Sequence, residues 1–527
     1  MINPLLSLVP PLLVFITAFA TKRVLLALTT GICSGALILT HGHPLEALAT
    51  ILYYFKLQIT DIDNLMIFGF LGTLGALVAL ISHSGGALAY GNIIKRKIHD
   101  SRSAQLWSLG LSACFFFDDF FSSITTGCIM RPLTDHFAIP RTKLAFLIDS
   151  MAAPIAILVP FSSWIAMLMM QLEKAGIGKG SSSSTIIIGE PFMIYLQTIP
   201  FIFYSFILIS STLFIVYNSL SFGTLRLHEK IARSTGNLFG GKESLHSQII
   251  VAQEGDLYDF FVPLIFLISG SVLSLLFLGG YHLLGGNNSL YAAFIGAPIF
   301  TSLALGSTIA LGLSIIFFSY RKHLALDTAR YMWIEGVKPM GHVMMILVGA
   351  WIFAAVVTNL HSGDAIANLF FKNSPIVFLP PFCFCLAAFT SIFIGSSWGT
   401  IALITPLVVP ILLDLTQVTA PTIPATLPLL FPVLGATFAG AVAGDHISPL
   451  SSTTIMSSTS SGSYHFDHVR TQFEYVLPVL VATTLAYALC GLFASWYGPW
   501  TGLFISLPLG IVLSCVFLYF LDKRQTS

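Results

Sequence analysis

Runs of about twenty apolar residues, the length a helix needs to cross a bilayer, recur along the whole of this chain. They do not alternate polar with apolar residues, and backbone groups in hydrocarbon must pair within their own segment, so they predict helices and exclude a barrel. Spans read at about 4–20, 24–40, 64–84, 144–170, 192–217, 257–279, 290–319, 340–358, 427–450, 471–495 and 498–521, with a weaker stretch at 44–60 that suits the interface. Composition adds one deciding point. Only 9% of the 527 residues are charged, against about 25% in a soluble domain, which is too few to cover a water-facing globule. The run from Pro4 to Ala20 lacks a basic leader and a cleavage site, and reads as a span rather than a removable signal.

Basic residues mark the cytoplasmic loops. They cluster at Lys22-Arg23, at Lys95-Arg96-Lys97 with Arg102, at Arg131, Arg141 and Lys143, and through Arg226, Lys230, Arg233 and Lys242. Further groups stand at Arg321-Lys322, Arg470 and Lys523-Arg524, while 41–63, 172–190, 280–289 and 359–374 are poorer in Lys and Arg and are expected to face outward. The segment 104–130 lies between two basic loops, so it is expected to enter and leave on one side as a re-entrant hairpin. By the same parity, 376–413 dips in from outside and returns. The expected fold is an all-α polytopic membrane protein with about 11 transmembrane helices plus two re-entrant hairpins, built as two inverted structural repeats. Residues 1–217 would form the first repeat with its hairpin near 104–130, and 218–256 a cytoplasmic linker loop. Residues 257–527 would form the second repeat, with its hairpin near 376–413 and an extra C-terminal helix.

Short words recur at matching places in the two halves. Phe115-Phe116-Phe117-Asp118-Asp119-Phe120-Phe121-Ser122-Ser123 sits inside the first hairpin, and Gly395-Ser396-Ser397-Trp398-Gly399-Thr400 inside the second. Each is followed by Pro-x-Ser-Ser: Pro160-Phe161-Ser162-Ser163 and Pro449-Leu450-Ser451-Ser452. Inverted-repeat transporters bind near the midplane where helices are interrupted, so these words mark the expected site.

An ionised Asp at the bilayer centre costs about 2.5–3.5 kcal/mol, so the few that occur are informative. They are Asp118, Asp119, Asp149, Asp445 and His446, with His342 in a later span. Neighbours on a helix point about 100° apart, so Asp118 and Asp119 face one cavity only where the helix breaks. Two close carboxylates do not readily ionise together, and a cation that displaces the retained proton performs the minimal chemistry of sodium/proton exchange. The structural account is that one caps a half-helix and the other binds an arginine. In Gly435–Ser458, Gly444 and Pro449 bracket an expected unwound stretch, where Asp445, Ser448, Ser451, Ser452 and Thr453 supply the oxygens hard cations prefer. Those hydroxyls can instead satisfy helix backbone. Asp118, Asp119 and Asp445 are therefore the candidate Na⁺ ligands. Ser122, Asp149, Ser396, Ser397, Thr400, His446, Ser448, Ser451 and Ser452 complete the candidate ion- or substrate-binding set.

His446 suits a proton carrier or a structural hydrogen bond. Asp149 is either functional or a helix cap or partner of Lys143. Trp164 and Trp398 line a cavity or pack, and His342 alone in its span reads as a helix-contact residue. Asp135, Arg131, Arg141, Asp467, His468 and Arg470 read as loop residues in an ion-pair network at the cytoplasmic mouth. Cys383-Phe384-Cys385 lacks a second pair or a nearby His, so it reads as helix packing and no cofactor is expected.

Three stretches carry a resemblance: FFFDDFFSSITTGCIMRPLTDHFAIPRTKLAFLIDSMAAPIAILVPFSSW (115–164), TSIFIGSSWGTIALITP (390–406) and GDHISPLSSTTIMSSTSSGSYHFDHVRTQFEY (444–475). They resemble the NhaC-type Na⁺/H⁺ antiporter family over most of the chain, more weakly in the first hundred residues and the central loop. The resemblance implies a multi-pass transporter of the bacterial inner membrane with two pseudo-symmetric halves, working by alternating access. Members of that family exchange Na⁺ for H⁺ or couple ion flow to small carboxylates such as malate and lactate. Asp118, Asp119, Asp149, Asp445 and His446 match its acidic motifs. The chain departs from the family at Ser452, where SPxSDTT carries a carboxylate, and at Ser122, where Asn is common. Losing that carboxylate leaves two solutes open, a cation exchanged for protons or a small organic anion or amino acid carried with Na⁺ or H⁺.

Interrupted helices also line passive channels, which conduct without coupling. No His-Glu-x-x-His, Gly-x-Ser-x-Gly or comparable metal or nucleophile constellation is read that would point to an intramembrane enzyme. The expected partners are membrane lipid and the transported cation or small organic solute, with a homodimer as a further option. A net charge of +1 gives nucleic acid no footing.

Overall fold

In this computed structural model the described residues are 4–21, 23–86, 89, 98–178, 185–243, 255–322, 326–362, 365, 375–418 and 420–526. The chain is an all-α polytopic membrane protein. Ahead of the polar segment the helices are α1 (Pro4–Ser7), α2 (Val9–Thr21), α3 (Val24–Leu39), α4 (Pro44–Thr60), α5 (Ile62–His83), α6 (Ser101–Cys114) and α7 (Asp119–His136). Then come α8 (Arg141–Ala156), α9 (Trp164–Lys174), α10 (Pro191–Thr198) and α11 (Phe203–Asn218), with α12 (Gly223–Thr235) in the polar segment itself. After it follow α13 (Tyr258–Leu278), α14 (Leu290–Gly296), α15 (Ile299–Lys322), α16 (Leu326–Asn359), α17 (Leu379–Ile394) and α18 (Ser397–Thr416). The last are α19 (Leu430–His446), α20 (Ser452–Ser461), α21 (His465–Tyr497) and α22 (Pro499–Thr526). Among the described residues, 8 helices are long and apolar enough to cross a membrane, and Leu25–Leu39 and Met344–Asn359 are shorter apolar helices.

Two packing groups emerge. In one, α5 lies against α15 and α16, α13 against α15, and α3 against α2 and α16. Small residues let α5 and α16 touch: a Cβ on Gly75 would stand 2.4 Å from the Gly336 carbonyl oxygen, so only glycine permits this crossing. In the other, α17 packs on α19, α21 on α22, and α11 on α8, α21 and α22.

Several expected spans are interrupted, the 427–450 span at the unwound stretch that Gly444 and Pro449 bracket. The expected 144–170 span is two helices, α8 and α9, separated at residues 157–163. Pro160 lies inside the gap and keeps Val159 out of helical geometry, while Pro154 in the last turn of α8 lacks a backbone donor. The expected 427–450 span stops at His446, and the chain re-enters helix at Ser452. Segment 290–319 breaks before Ile299, where Ala297-Pro298 precludes a continuous ladder. The segments 104–130 and 376–413 each form two helices joined by a tight turn, α6–α7 and α17–α18. The weak stretch 44–60 does form a helix, with only Ala47 and Gln58 buried. Lys95-Arg96-Lys97, Lys22 and the side chain of His342 lie outside the described residues.

Helix α12 is polar and lies against α21 and α8. Lys143 of α8 pairs with its Glu229, not with Asp149. Loops following α9 and α18 meet in a small ladder: Ile177–Gly178 pairs with Ile187–Ile188 in parallel, and Ile187 bridges Thr422.

Candidate functional site

Both hairpin tips end in a side chain that caps the returning helix. Asp118 is the N-cap of α7, its Oδ1 accepting from the Phe121 backbone N–H at 2.8 Å. Ser396 is the N-cap of α18, its Oγ accepting from the Gly399 N–H at 3.1 Å. Capping satisfies a donor that the first helical turn leaves free, and a buried tip needs it. Each tip is also held by the broken helix that follows it. Ser163 N–H donates to the Phe117 carbonyl at 2.8 Å. On the other side, Ser448 Oγ donates to the Ile392 carbonyl at 2.7 Å, and Gly395 sits against the backbone of Leu450.

The breaks repeat one geometry. Ser162 N–H donates to the Val159 carbonyl and Ser451 N–H to the Ser448 carbonyl, both at 3.3 Å. The half-helices beyond the breaks then cross over: α9 packs against α18, and α20 against α7. Trp164 opens α9 and meets Trp398 of α18 edge to face at 5.8 Å between ring centroids. Reciprocally, Ser460 Oγ of α20 donates to the Ser123 carbonyl of α7 at 2.8 Å. Each hairpin is thus clasped by the broken helix of the opposite half.

A cavity of about 710 Å³ opens at this crossing. Asp119, Ser396, Ser397, Trp398, Asp445, Ser452 and Thr453 line it, with Arg23 at the start of α3. Asp445 Oδ2 accepts from Ser451 Oγ at 2.8 Å and Thr453 Oγ1 at 3.0 Å, and Ser397 adds further hydrogen bonds. Asp119 lies in the first turn of α7, where the helix dipole favours a negative charge, and it is in electrostatic range of Asp118 and Asp445.

Of the three candidate Na⁺ ligands, Asp119 and Asp445 reach the cavity while Asp118 serves as a cap. Among the described residues no three acidic, histidine or cysteine side chains converge as a metal site, so these three do not form a carboxylate cage. Ser122 is turned into the first hairpin, 2.9 Å from Ser112 Oγ. Thr400 is fully buried in α18, and its hydroxyl has no hydrogen-bond partner among the described residues. His446 is fully buried behind the site with Nδ1 3.0 Å from the Tyr204 hydroxyl. Ser448 and Ser451 hold the second break, and Ser452 is exposed to the cavity.

Asp149 is neither a cap nor a partner of Lys143. It sits in mid-α8, fully buried, and accepts from Thr454 Oγ1 at 3.1 Å and Ser457 Oγ at 3.5 Å, both on α20. His468 corrects the loop reading given to it. Its ring is fully buried, with Nε2 3.8 Å from Asp149 Oδ2. Arg131, Asp135, Arg141, Asp467 and Arg470 also stand on helices (α7, α8 and α21) rather than in loops, and ion pairs join Arg141 to Asp135 through two bonds of 2.9 and 2.7 Å, Lys242 to Asp467, and Arg470 to Glu474. Arg141 also donates to the Ser461 carbonyl at the end of α20 at 3.2 Å.

Sequence reasoning missed Arg23, Thr454, Ser457 and His468 as members of this region. Arg23 was read only for its charge, and His468 was hidden among the polar residues that open α21. Gly395-Ser396-Ser397-Trp398-Gly399 does have Gly-x-Ser-x-Gly spacing, which corrects the reading that no such word occurs. That word serves as a nucleophile elbow after a β-strand, whereas here it joins two helices.

A family model described as the Na⁺/H⁺ antiporter family matches residues 155–492. An uncharacterized protein of Haemophilus influenzae is 31% identical over 495 residues, covering 92% of this chain and 90% of that protein. Among solved structures, the Alcanivorax borkumensis YdaH transporter aligns with a TM-score of 0.48 at 15% identity, covering 85% of this chain and 89% of that one. Neisseria gonorrhoeae MtrF aligns with a TM-score of 0.38 at 14% identity, covering 90% and 85%.

Proposed function

Since the chain belongs to the Na⁺/H⁺ antiporter family and is a multi-pass secondary transporter, not an enzyme, we propose that it is an NhaC-type antiporter exchanging a cation for protons by alternating access. The observation that carries this reading is that Asp119 and Asp445, from two different broken elements, line one cavity. Residues 1–217 and 257–527 act as inverted repeats, and the crossing of α9 on α18 and α20 on α7 supports that arrangement. Sodium takes oxygens from Asp119, Asp445 and the cavity hydroxyls, and a proton leaves as it binds. Arg23 belongs to a basic loop and stands at the cavity, which fits an inward-open state in a bacterial inner membrane. Family membership implies no cofactor.

A second reading is favoured by Arg23 itself. A guanidinium repels sodium but pairs bidentately with carboxylates, and a cavity of about 710 Å³ far exceeds what one cation fills. Together with the neutral Ser452, these features support a small organic anion or amino acid carried with Na⁺ or H⁺.

The test is a sodium gradient across proteoliposomes with an internal pH dye, comparing wild type with Asp119→Asn and Asp445→Asn. Sodium-driven proton movement that disappears in both variants establishes exchange. A wild type in which sodium moves no protons eliminates plain exchange and turns the same vesicles to organic solutes.

A further inference from the structure

A line of side chains leads from the buried Asp149 to the polar start of α21. His468 Nδ1 stands 2.9 Å from Ser458 Oγ, Ser458 Oγ 3.1 Å from His465 Nδ1, and His465 Nε2 2.8 Å from the Pro449 carbonyl oxygen. The bonds impose an order. A carbonyl only accepts, so His465 donates through Nε2, and in a neutral ring its Nδ1 must then accept. Ser458 Oγ donates at rest to the Thr454 carbonyl at 2.7 Å and stands in reach to supply that proton when its hydroxyl turns, and in either orientation its oxygen accepts from His468 Nδ1–H. Neutral His468 is thereby left with a bare Nε2, and in this fully buried ring the atom has no hydrogen-bond partner among the described residues. It faces Asp149 Oδ2 at 3.8 Å, one short step beyond hydrogen-bond range. His465 at the other end is partly exposed, two residues from the Asp467 that pairs with Lys242 of the polar segment.

We propose that His468, Ser458 and His465 form a proton relay joining Asp149 to the cytoplasmic face, open at the 3.8 Å step in this state. The proposal rests on the proton-coupled reading above. When α8 and α21 approach, Asp149 gives its proton to His468 Nε2, and His468 releases the one on Nδ1 to Ser458. Ser458 passes its own to His465 Nδ1, and His465, its ring turning from the Pro449 carbonyl, gives the proton on Nε2 to water at its exposed edge. One proton moves, no electron moves, and rotation of the rings and hydroxyl restores the starting arrangement. Between transfers the hydroxyl donates to the Thr454 carbonyl at 2.7 Å. The groups facing His468 are Asp149 from α8, His446 from α19 and His465 on its own helix, with the Gln472 side chain beside it. None of the three relay side chains lines the cavity, so proton delivery and solute binding separate by mutation.

Ser458→Ala removes one oxygen and leaves the cavity lining intact. Proton flux in the pH-dye vesicles is expected to fall about tenfold or more, the scale of a lost proton-transfer group, while the sodium titration of tryptophan fluorescence keeps its midpoint. Ser458→Thr, which keeps the hydroxyl, is expected to restore the flux. A second variant, His465→Ala, is expected to lose flux and regain it with added imidazole, at rates that follow the pKa of the substituted imidazole supplied. Wild-type flux in both Ser458→Ala and His465→Ala would overturn the relay alone, as would a Ser458→Thr protein as slow as Ser458→Ala. A wild type that moves no protons with any cation or organic solute would overturn both the relay and the proton-coupled reading.

Discussion

The Thr454 hydroxyl stands 3.1 Å from Asp149 Oδ2 and, at 3.4 Å, also reaches the main-chain oxygen of Asp445. It carries one proton and so serves one acceptor well at a time. A change in the charge of Asp149 therefore alters what the broken end of α19 can bind. This is a direct physical link between a carboxylate outside the cavity and one that lines it.

Thr454→Val keeps the shape and removes the link. Losing a hydrogen bond to a buried group costs about 1–3 kcal/mol, equivalent to about 5- to 150-fold. The expected result is a loss of coupled flux of about tenfold, with the protein still monodisperse in detergent. Stopped-flow pH-dye measurements over a range of sodium concentrations check it. A variant with unchanged flux would show that Asp149 and Asp445 work independently.

Gly395 makes a separate prediction about the second hairpin. Its φ of +67° is in the left-handed region, and an added Cβ would meet the Leu450 backbone carbon and oxygen at 2.7 and 2.8 Å. Gly285 has φ +89° with nothing within 4 Å, so it controls for backbone strain alone. Gly285→Ala is expected to cost about 1–2 kcal/mol, and Gly395→Ala clearly more because the tip can no longer seat on the break. Thermal unfolding of the two variants in detergent measures the difference, and equal losses would mean that the tip is free to shift.

The interruptions were legible where the chain announces them and obscure where it does not. Asp118-Asp119 between two Phe runs pointed to the first hairpin tip because charge has few other uses inside a membrane, and Gly395-Ser396-Ser397 to the second because it stands at the matching place. Pro154 and Pro160 sat in view and marked a broken helix, yet the 144–170 run was apolar enough to count as one span. Hydropathy sums over a window, whereas a break depends on which backbone donors are lost. Asp149, His468 and Thr454 met only through tertiary packing of α8, α20 and α21, and spacing along the chain carries no record of that. Arg23 shows the same limit, since positive charge at a loop indicates sidedness whether or not a cavity opens beside it.

Arg23 separates the two readings of the solute. If a carboxylate is bound at the cavity, Arg23→Gln is expected to raise the apparent KM for the organic solute about tenfold or more by removing a charge-assisted pair. Sodium-driven proton flux would be unchanged or faster, because a repulsive charge has gone. If the cargo is a cation alone, only the second effect appears. Competition of unlabelled organic acids and amino acids against sodium-driven flux, in wild type and variant, tells the two apart.

Ser452 offers the converse substitution. Its side chain is exposed to the cavity beside Asp445 and Thr453, at the start of α20 where the helix dipole favours an anion. Ser452→Asp therefore adds a carboxylate at a place prepared for one. With Asp119 and Asp445 already present, the added charge strengthens attraction for a cation and repels an organic anion. The expected outcome is an apparent sodium KM lowered by about tenfold, on the scale of one charge-assisted contact, with uptake of any organic acid reduced. Sodium titrations of proton flux read the first and solute uptake the second. A sodium KM that does not fall would mean that the cation binds away from the start of α20, and Asp119 would then become the centre of the site.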